Sequence, residues 1–213
     1  MRSQVVTAAD VTESVTLLRR TLAGVPDGAW EARAGTLDWT CWETVEHLAD
    51  DLFAYAIQVA ATDPPRDHTV PVSWRENRPG GPGNSIFADR RRGTVGLLQV
   101  LEVSGVFLAS SVRDAPAGRR AYHVFGVSDP AGFAAMGVVE TLVHGHDVAL
   151  GLRLRWEPPA ELCARTLTRL FPNAPTDGPP WSTLLWATGR GSLAGRQHRG
   201  GGWRWDGRPA AER

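Results

Sequence analysis

The chain has 213 residues with 23 basic and 23 acidic side chains, so its formal net charge is zero. That balance gives no field to gather nucleic acid or an anionic membrane surface. Every basic residue is arginine, which excludes a Schiff-base lysine and a P-loop lysine alike and fits a GC-rich genome.

The length predicts one domain plus an extension, large enough to bury a core without staples. The two cysteines, Cys41 and Cys163, form no zinc-ribbon or redox spacing and read as inert thiols in a reducing compartment. The N-terminal MRSQVVTAADVTESV shows no basic-then-apolar leader. No apolar run looks close to the ~18–20 residues of a membrane span. These features predict a soluble cytoplasmic protein. Nine tryptophans predict large packed surfaces or a lined pocket.

In chain order, the first helix is expected over about residues 8–23, where Val11, Val15, Leu18 and Leu22 form one stripe before Gly24 and Pro26 stop it. A second helix starts near residue 41, because Thr40 and Glu43 form a capping-box pair. It ends at Asp63-Pro64-Pro65. Residues 62–92 are punctuated by proline and glycine, and a loop that long is usually functional. Short strands are admissible around Thr69–Trp74. The third helix covers about residues 93–113 and, being apolar on several sides, is expected to be central. The fourth follows Ser128-Asp129-Pro130, a cap with proline at the first helical position, and ends at Gly151. Two shorter helices follow Pro158-Pro159 and Pro179-Pro180, and a Gly-rich tail carries Trp203 and Trp205 as one short strand. The fold class is therefore all-α, a four-helix bundle over 1–152 with a small helical and irregular C-terminal extension over 153–213 packed on it.

The chemistry concentrates in the fourth helix, AAMGVVETLVHGHDVALGL. Glu140 and His144 lie four residues apart, about 40° apart around the axis, so both side chains can converge on one ion. Asp147 shares that face. A third ligand must come from elsewhere, and His47 on the second helix is the leading candidate. The helical wheel places His47 off the apolar stripe, beside Thr44, Asp51, Ala54 and Tyr55, which is a surface position by periodicity alone. A functional reading requires that this face line a cleft, with Asp51 or Thr44 orienting the imidazole. Two histidines, a carboxylate and an open position form a catalytic-metal set, with zinc the first candidate and Ni2+, Fe2+ or Mn2+ compatible.

The segments Leu37-Asp38-Trp39-Thr40 leading to Val45-Glu46-His47-Leu48-Ala49, and Val139-Glu140-Thr141-Leu142-Val143-His144-Gly145-His146-Asp147, resemble the DinB-like superfamily, specifically the mycothiol-dependent maleylpyruvate isomerase N-terminal domain family. The resemblance covers roughly residues 8–152 and includes Trp39, eight residues before the first histidine. It implies a DinB-like four-helix bundle, metal ligands His47, Glu140 and His144, thiol-dependent transfer or isomerisation with mycothiol, and an actinobacterial source. Residues 153–213 do not obviously match the C-terminal domain of the isomerase.

Other residues carry weaker expectations. His123, in the crossover before the fourth helix, is a candidate general acid or base, and Asp147 a candidate proton carrier. His146 reads as a core histidine, and His68 and His198 as loop residues without a role. Arg90-Arg91-Arg92 reads as a solvated turn. Trp39, Trp74 and Tyr55 are candidates to line a pocket, and Trp181 and Trp186 to fill the core of the extension. Cys41 sits near a helix start, where a thiolate is favoured, without a partner to make it a nucleophile.

Three readings follow. The first is a metal- and mycothiol-dependent transferase or isomerase acting on an electrophilic small molecule. The second is a hydrolase using metal-bound hydroxide, and the third a non-catalytic ligand-binding module. The expected partners are a small-molecule substrate and a low-molecular-weight thiol, with no nucleic acid and no membrane, in a monomer or homodimer.

Overall fold

Helix boundaries fall where capping chemistry places them. The computed structural model describes residues 5–213; residues 1–4, part of the N-terminal segment read above for a leader pattern, lie outside the described residues. The bundle helices are α1 (Ala8–Leu22), α2 (Cys41–Ala60), α3 (Gly93–Asp114) and α4 (Pro130–Leu152), followed by α5 (Ala160–Leu170) and α6 (Pro180–Ala187). Thr40 and Glu43 form the reciprocal capping box at the start of α2, at 3.2 and 2.9 Å, which satisfies two otherwise orphaned amides. Asp129 accepts the Gly132 amide at 2.7 Å at the start of α4, with Pro130 next in the chain. The only strands among the described residues are β1 (Arg75–Glu76) and β2 (Gly83–Asn84), paired antiparallel with Arg75 opposite Asn84.

The structure is therefore all-α, with the four long helices packed together as a bundle. Val11, Val15, Leu18 and Leu22 of α1, with Leu48, Leu52, Leu97, Leu101 and Leu142, are essentially solvent-free. α5 packs on α4 and α6. Its buried Arg169 donates to Asp129 at 2.8 Å and to the Gly207 carbonyl at 3.2 Å, which ties the extension and the tail to the start of α4.

Several expectations are corrected. α3, expected to be central, does pack against α1, α2 and α4, but its Val95, Val103, Val106 and Phe107 face outward. Arg90–Asp114 contains an 18-residue window of mean hydropathy 1.7, long and apolar enough, by length and composition, to cross a membrane. The expectation that no run is so apolar fails; in this fold the helix packs against α1, α2 and α4. The hairpin lies just beyond Thr69–Trp74. The tail holds a 3-10 turn at Gly200–Gly202 in place of a strand at Trp203 and Trp205. α4 continues through Gly151 and stops at Arg153, which takes the left-handed conformation at φ 57°.

Gly151 serves close approach. A Cβ there would lie 2.3 Å from the Arg33 carbonyl oxygen and 2.6 Å from Cys41 Sγ. Helix propensity favours alanine over glycine by about 1 kcal/mol, yet this overlap presses on backbone that cannot rotate away. Gly151→Ala is expected to destabilise the fold by about 1–3 kcal/mol, an overpacking cost, read as a lower urea midpoint.

Candidate metal centre and its cavity

The i, i+4 spacing that aligns Glu140 with His144 on α4 recurs on α2 as His47 and Asp51, and the two pairs face each other. Ligand atoms of His47, Asp51 and His144 all lie within 4.8 Å of one another. His47 Nε2 is 3.5 Å from Asp51 Oδ2. His144 Nε2 is 3.3 Å from Glu140 Oε2, so Glu140, expected as a ligand, stands beside His144 but outside that mutually close set. The imidazole rings of His47 and His144 stand nearly perpendicular with centroids 5.6 Å apart. Asp51, expected behind His47 as an orienting group, thus stands among the donor atoms. The repeated four-residue spacing on α2 was the signal for it.

The groups behind the donors come from elsewhere in the chain. His47 Nδ1 lies 3.1 Å from the side-chain oxygen of Asn84. Donation to that oxygen places the ring proton on Nδ1 and leaves the Nε2 lone pair for an ion. Asn84 is fully buried. The hydroxyl of Thr44 donates to the Thr40 carbonyl within α2 at 2.8 Å, so it does not orient His47. On α4, Asp147 Oδ2 sits 3.4 Å from His144 Nδ1, an ion-pair distance short of hydrogen-bond geometry. Arg190, just after α6, donates from Nε at 3.0 Å to both Asp147 oxygens and from Nη2 at 2.8 Å to one of them. Sequence reasoning missed both Asn84 and Arg190.

The long loop over 62–92 is held on α2 by side chains, since it has little regular structure to satisfy its amides. Asp50 accepts the Ser85 and Ile86 amides at 2.8 and 2.9 Å. Glu46 accepts the Ala88 amide at 3.0 Å, Gln58 accepts the Val70 amide at 2.7 Å, and Glu43 pairs with Arg78. These contacts fix Asn84 beside His47.

Electrostatics follow from burial and pairing. Burial pushes the Asp51 carboxyl well up, and neighbouring Glu140 adds to it. Burial opposes ionisation of Glu140 and Asp147, but His144 beside the first, and His144 with Arg190 beside the second, hold both below their ordinary values. Burial likewise disfavours a charged His144, yet Asp147 and Glu140 outweigh it and raise the imidazole to about 9. His47 is lowered by burial and by His144. Burial pushes the Cys41 thiol up to about 11 and Cys163 to about 12, against the helix-start expectation for Cys41.

These groups floor a cavity of about 930 Å³. Its walls come from three segments: the loop over 62–92 with Val70 and Trp74, the crossover with Tyr122 to Phe125, and the tail with Trp203 and Trp205. Trp39 and Tyr55 also line it; Trp39 stands edge-on to His47 with centroids 4.7 Å apart. His123 lines the cavity, buried against Tyr55, Phe125 and Trp205. Its Nδ1 accepts the Phe125 amide at 3.0 Å, and burial lowers its pKa to about 4. His146 is half-buried, not a core residue, and packs on Trp181 at the cavity edge. His198, expected to have no role, also reaches the cavity. His68, by contrast, pairs with Asp67 outside it.

Two outcomes test this geometry. Asn84→Ala is expected to weaken zinc affinity ~10-fold, as loss of a ligand-orienting group does, with Asn84→Asp restoring most of it; chelator competition reads both. His144 carries a proton below about 9, and that proton must leave before the ring can ligate. Zinc affinity is therefore expected to rise with pH between 7 and 9, by up to about tenfold per unit, with proton release seen as buffer-dependent binding heats.

No curated protein matches the chain in sequence. Its fold is similar to the crystal structure of the mycothiol-dependent maleylpyruvate isomerase, at 14% identity and a TM-score of 0.57, over 87% of this chain and 88% of that chain. A histidine-to-alanine mutant of the mycothiol-dependent maleylpyruvate isomerase matches at 14% identity and 0.56 with the same coverage. At this identity the likeness is one of fold. It covers more of the chain than residues 1–152 can supply, so it reaches into the extension that the sequence reading set apart. The mycothiol maleylpyruvate isomerase N-terminal domain model matches residues 11–149, more than half of the chain, and the chain belongs to that family.

Proposed function

We propose that the protein is an enzyme that uses a divalent metal and a low-molecular-weight thiol, mycothiol, to isomerise or conjugate an electrophilic small molecule. The observation that carries this reading is the pair of facing i, i+4 couples, His47 with Asp51 and Glu140 with His144, on the floor of a large cavity. Family membership and a solved neighbour described as a mycothiol-dependent isomerase support the choice of thiol.

The donor set fits a metal, because it offers two imidazole nitrogens and buried carboxylate oxygens around one point. His47, Asp51 and His144 would hold the ion, with Glu140, the ligand that the family resemblance implies, beside His144 to join or replace Asp51. Zinc is the first choice, with Ni2+, Fe2+ and Mn2+ compatible. A bound divalent ion supplies the positive charge that makes a thiol acidic at neutral pH.

The remaining roles belong to side chains of the chain. Asn84 fixes the tautomer of His47. Asp147, nearly solvent-free and held by Arg190, orients His144, a positioning role in place of the proton-carrying one. His123 is neutral at pH 7 with Nδ1 already accepting a hydrogen bond. It serves as a hydrogen-bond donor from Nε2 to a bound molecule, not as a general base. The aromatic walls exclude water, so that a thiolate lone pair meets the electrophilic carbon instead of solvent.

Calorimetric titration of mycothiol into zinc-loaded protein is expected to show binding that disappears in His47→Ala and His144→Ala, with helical circular dichroism unchanged. No binding at millimolar thiol overturns the reading, as does turnover of the same substrates without thiol.

A further inference from the structure

The cavity also constrains what the thiol attacks, and this step rests on the thiol-dependent reading above. We infer that the second occupant of the site is an uncharged, largely aromatic or alkyl electrophile and not a dicarboxylate.

The first argument is the supply of cations. The chain contains no lysine, and Arg190 is the only arginine among the described residues that line the cavity. Its charge is matched by Asp147, which takes three of its hydrogen bonds, and Nη1 donates to the Thr188 carbonyl at 3.2 Å. Arg75 and Arg204 stack on Phe87 and Phe125 and stay outside the lining. The cavity histidines outside the metal cluster are engaged otherwise: His123 Nδ1 accepts the Phe125 amide, His198 Nδ1 accepts the Gly200 amide, and His146 packs on Trp181.

The second argument is the balance of charge on the floor. The lining carboxylates are Asp51, Glu140 and Asp147. Counted as formal charges with the ion in place, these three carboxylates are met by Arg190 and the two charges of a divalent ion. A seated metal leaves the floor neutral, and a thiolate brings it to minus one. A dicarboxylate would then add two more negative charges with no cation to meet them, and burying unpaired charge is strongly unfavourable.

The third argument is the wall. Trp205 lies 5.1 Å from Phe125 and 5.6 Å from Trp203, centroid to centroid, while Trp39 and Trp74 contribute from the α2 side. These rings offer π faces and apolar edges, which suit an uncharged planar or alkyl body.

The test uses one ring in two charge states: dimethyl naphthalene-2,6-dicarboxylate and the free dicarboxylate, titrated into the full-length zinc-loaded protein and followed by calorimetry. The diester is expected to bind at least tenfold more tightly. Trp203→Ala is expected to weaken the diester several-fold with zinc affinity unchanged. Trp74→Arg places a cation at an exposed position on the rim and is expected to narrow the ratio by strengthening the dicarboxylate. Equal or tighter binding of the dicarboxylate to the parent protein overturns the inference, and so does a ratio unmoved by Trp74→Arg. No thiol and no turnover enter these titrations, so the result stands apart from the mycothiol calorimetry that judges the thiol-dependent reading.

Discussion

Asp147 and Arg190 meet at 2.8 Å in a place where neither can be left alone. Asp147 is 2% exposed, and its carboxylate also faces His144. An uncompensated buried carboxylate is strongly destabilising, typically by ~3–5 kcal/mol when its partner is removed. The cation that offsets it arrives from just beyond α6, 43 residues further along the chain. Docking of the C-terminal extension and completion of the α4 face are therefore one structural event. The same docking brings Trp203 and Trp205 over the cavity, since Arg190 also lies against the Trp203 ring at 5.8 Å.

A parallel arrangement organises α2. Glu43, Glu46, Asp50 and Gln58 collect arginine and amide donors from the loop over 62–92. That loop has almost no ladder of its own, so the helix side chains take the place of a strand partner. Burial raises Glu46 and Asp50 despite those hydrogen bonds, which shows that the contacts are made under desolvation. The consequence at the site is Asn84. It is delivered to His47 by a segment whose sequence shows only proline and glycine punctuation. Each metal-facing histidine thus has a polar group behind it from a region that only the folded chain brings near.

This explains which parts of the sequence could be read. Helix starts at Thr40 and Asp129 were legible because capping is local, and so was the Glu140–His144 couple, because four-residue spacing fixes a face. The wheel alone placed His47 at the surface, because it weighs one helix against water, and only the family resemblance made it a ligand. Here the polar face of α2 is covered by a loop and by the tail, which leaves it in a cavity. The same oversight demoted Asp51 to a supporting role. Asn84 and Arg190 lie 37 and 43 residues from the groups they touch and carry no local signature. The mirror error fell on α3, where apolar residues on several sides suggested a central helix, yet Val103 and Phe107 lie on its outer side.

Floor and walls answer to different constraints. The candidate ligands sit on α2 and α4, where backbone hydrogen bonds and a packed core hold side-chain directions within narrow limits. The walls are Val70, Trp74, Phe125, Trp203 and Trp205, all in loops or the tail, segments that vary more readily than packed helices. Similarity to a solved isomerase at 14% identity with a TM-score of 0.57 is what such a division allows: a scaffold retained while side chains drift. On the floor, Asp51, Glu140, Asp147 and Arg190 stand with the two histidines in mutual contact regardless of what the walls admit. What the cavity admits can therefore change through wall residues alone, without disturbing the side chains beneath it.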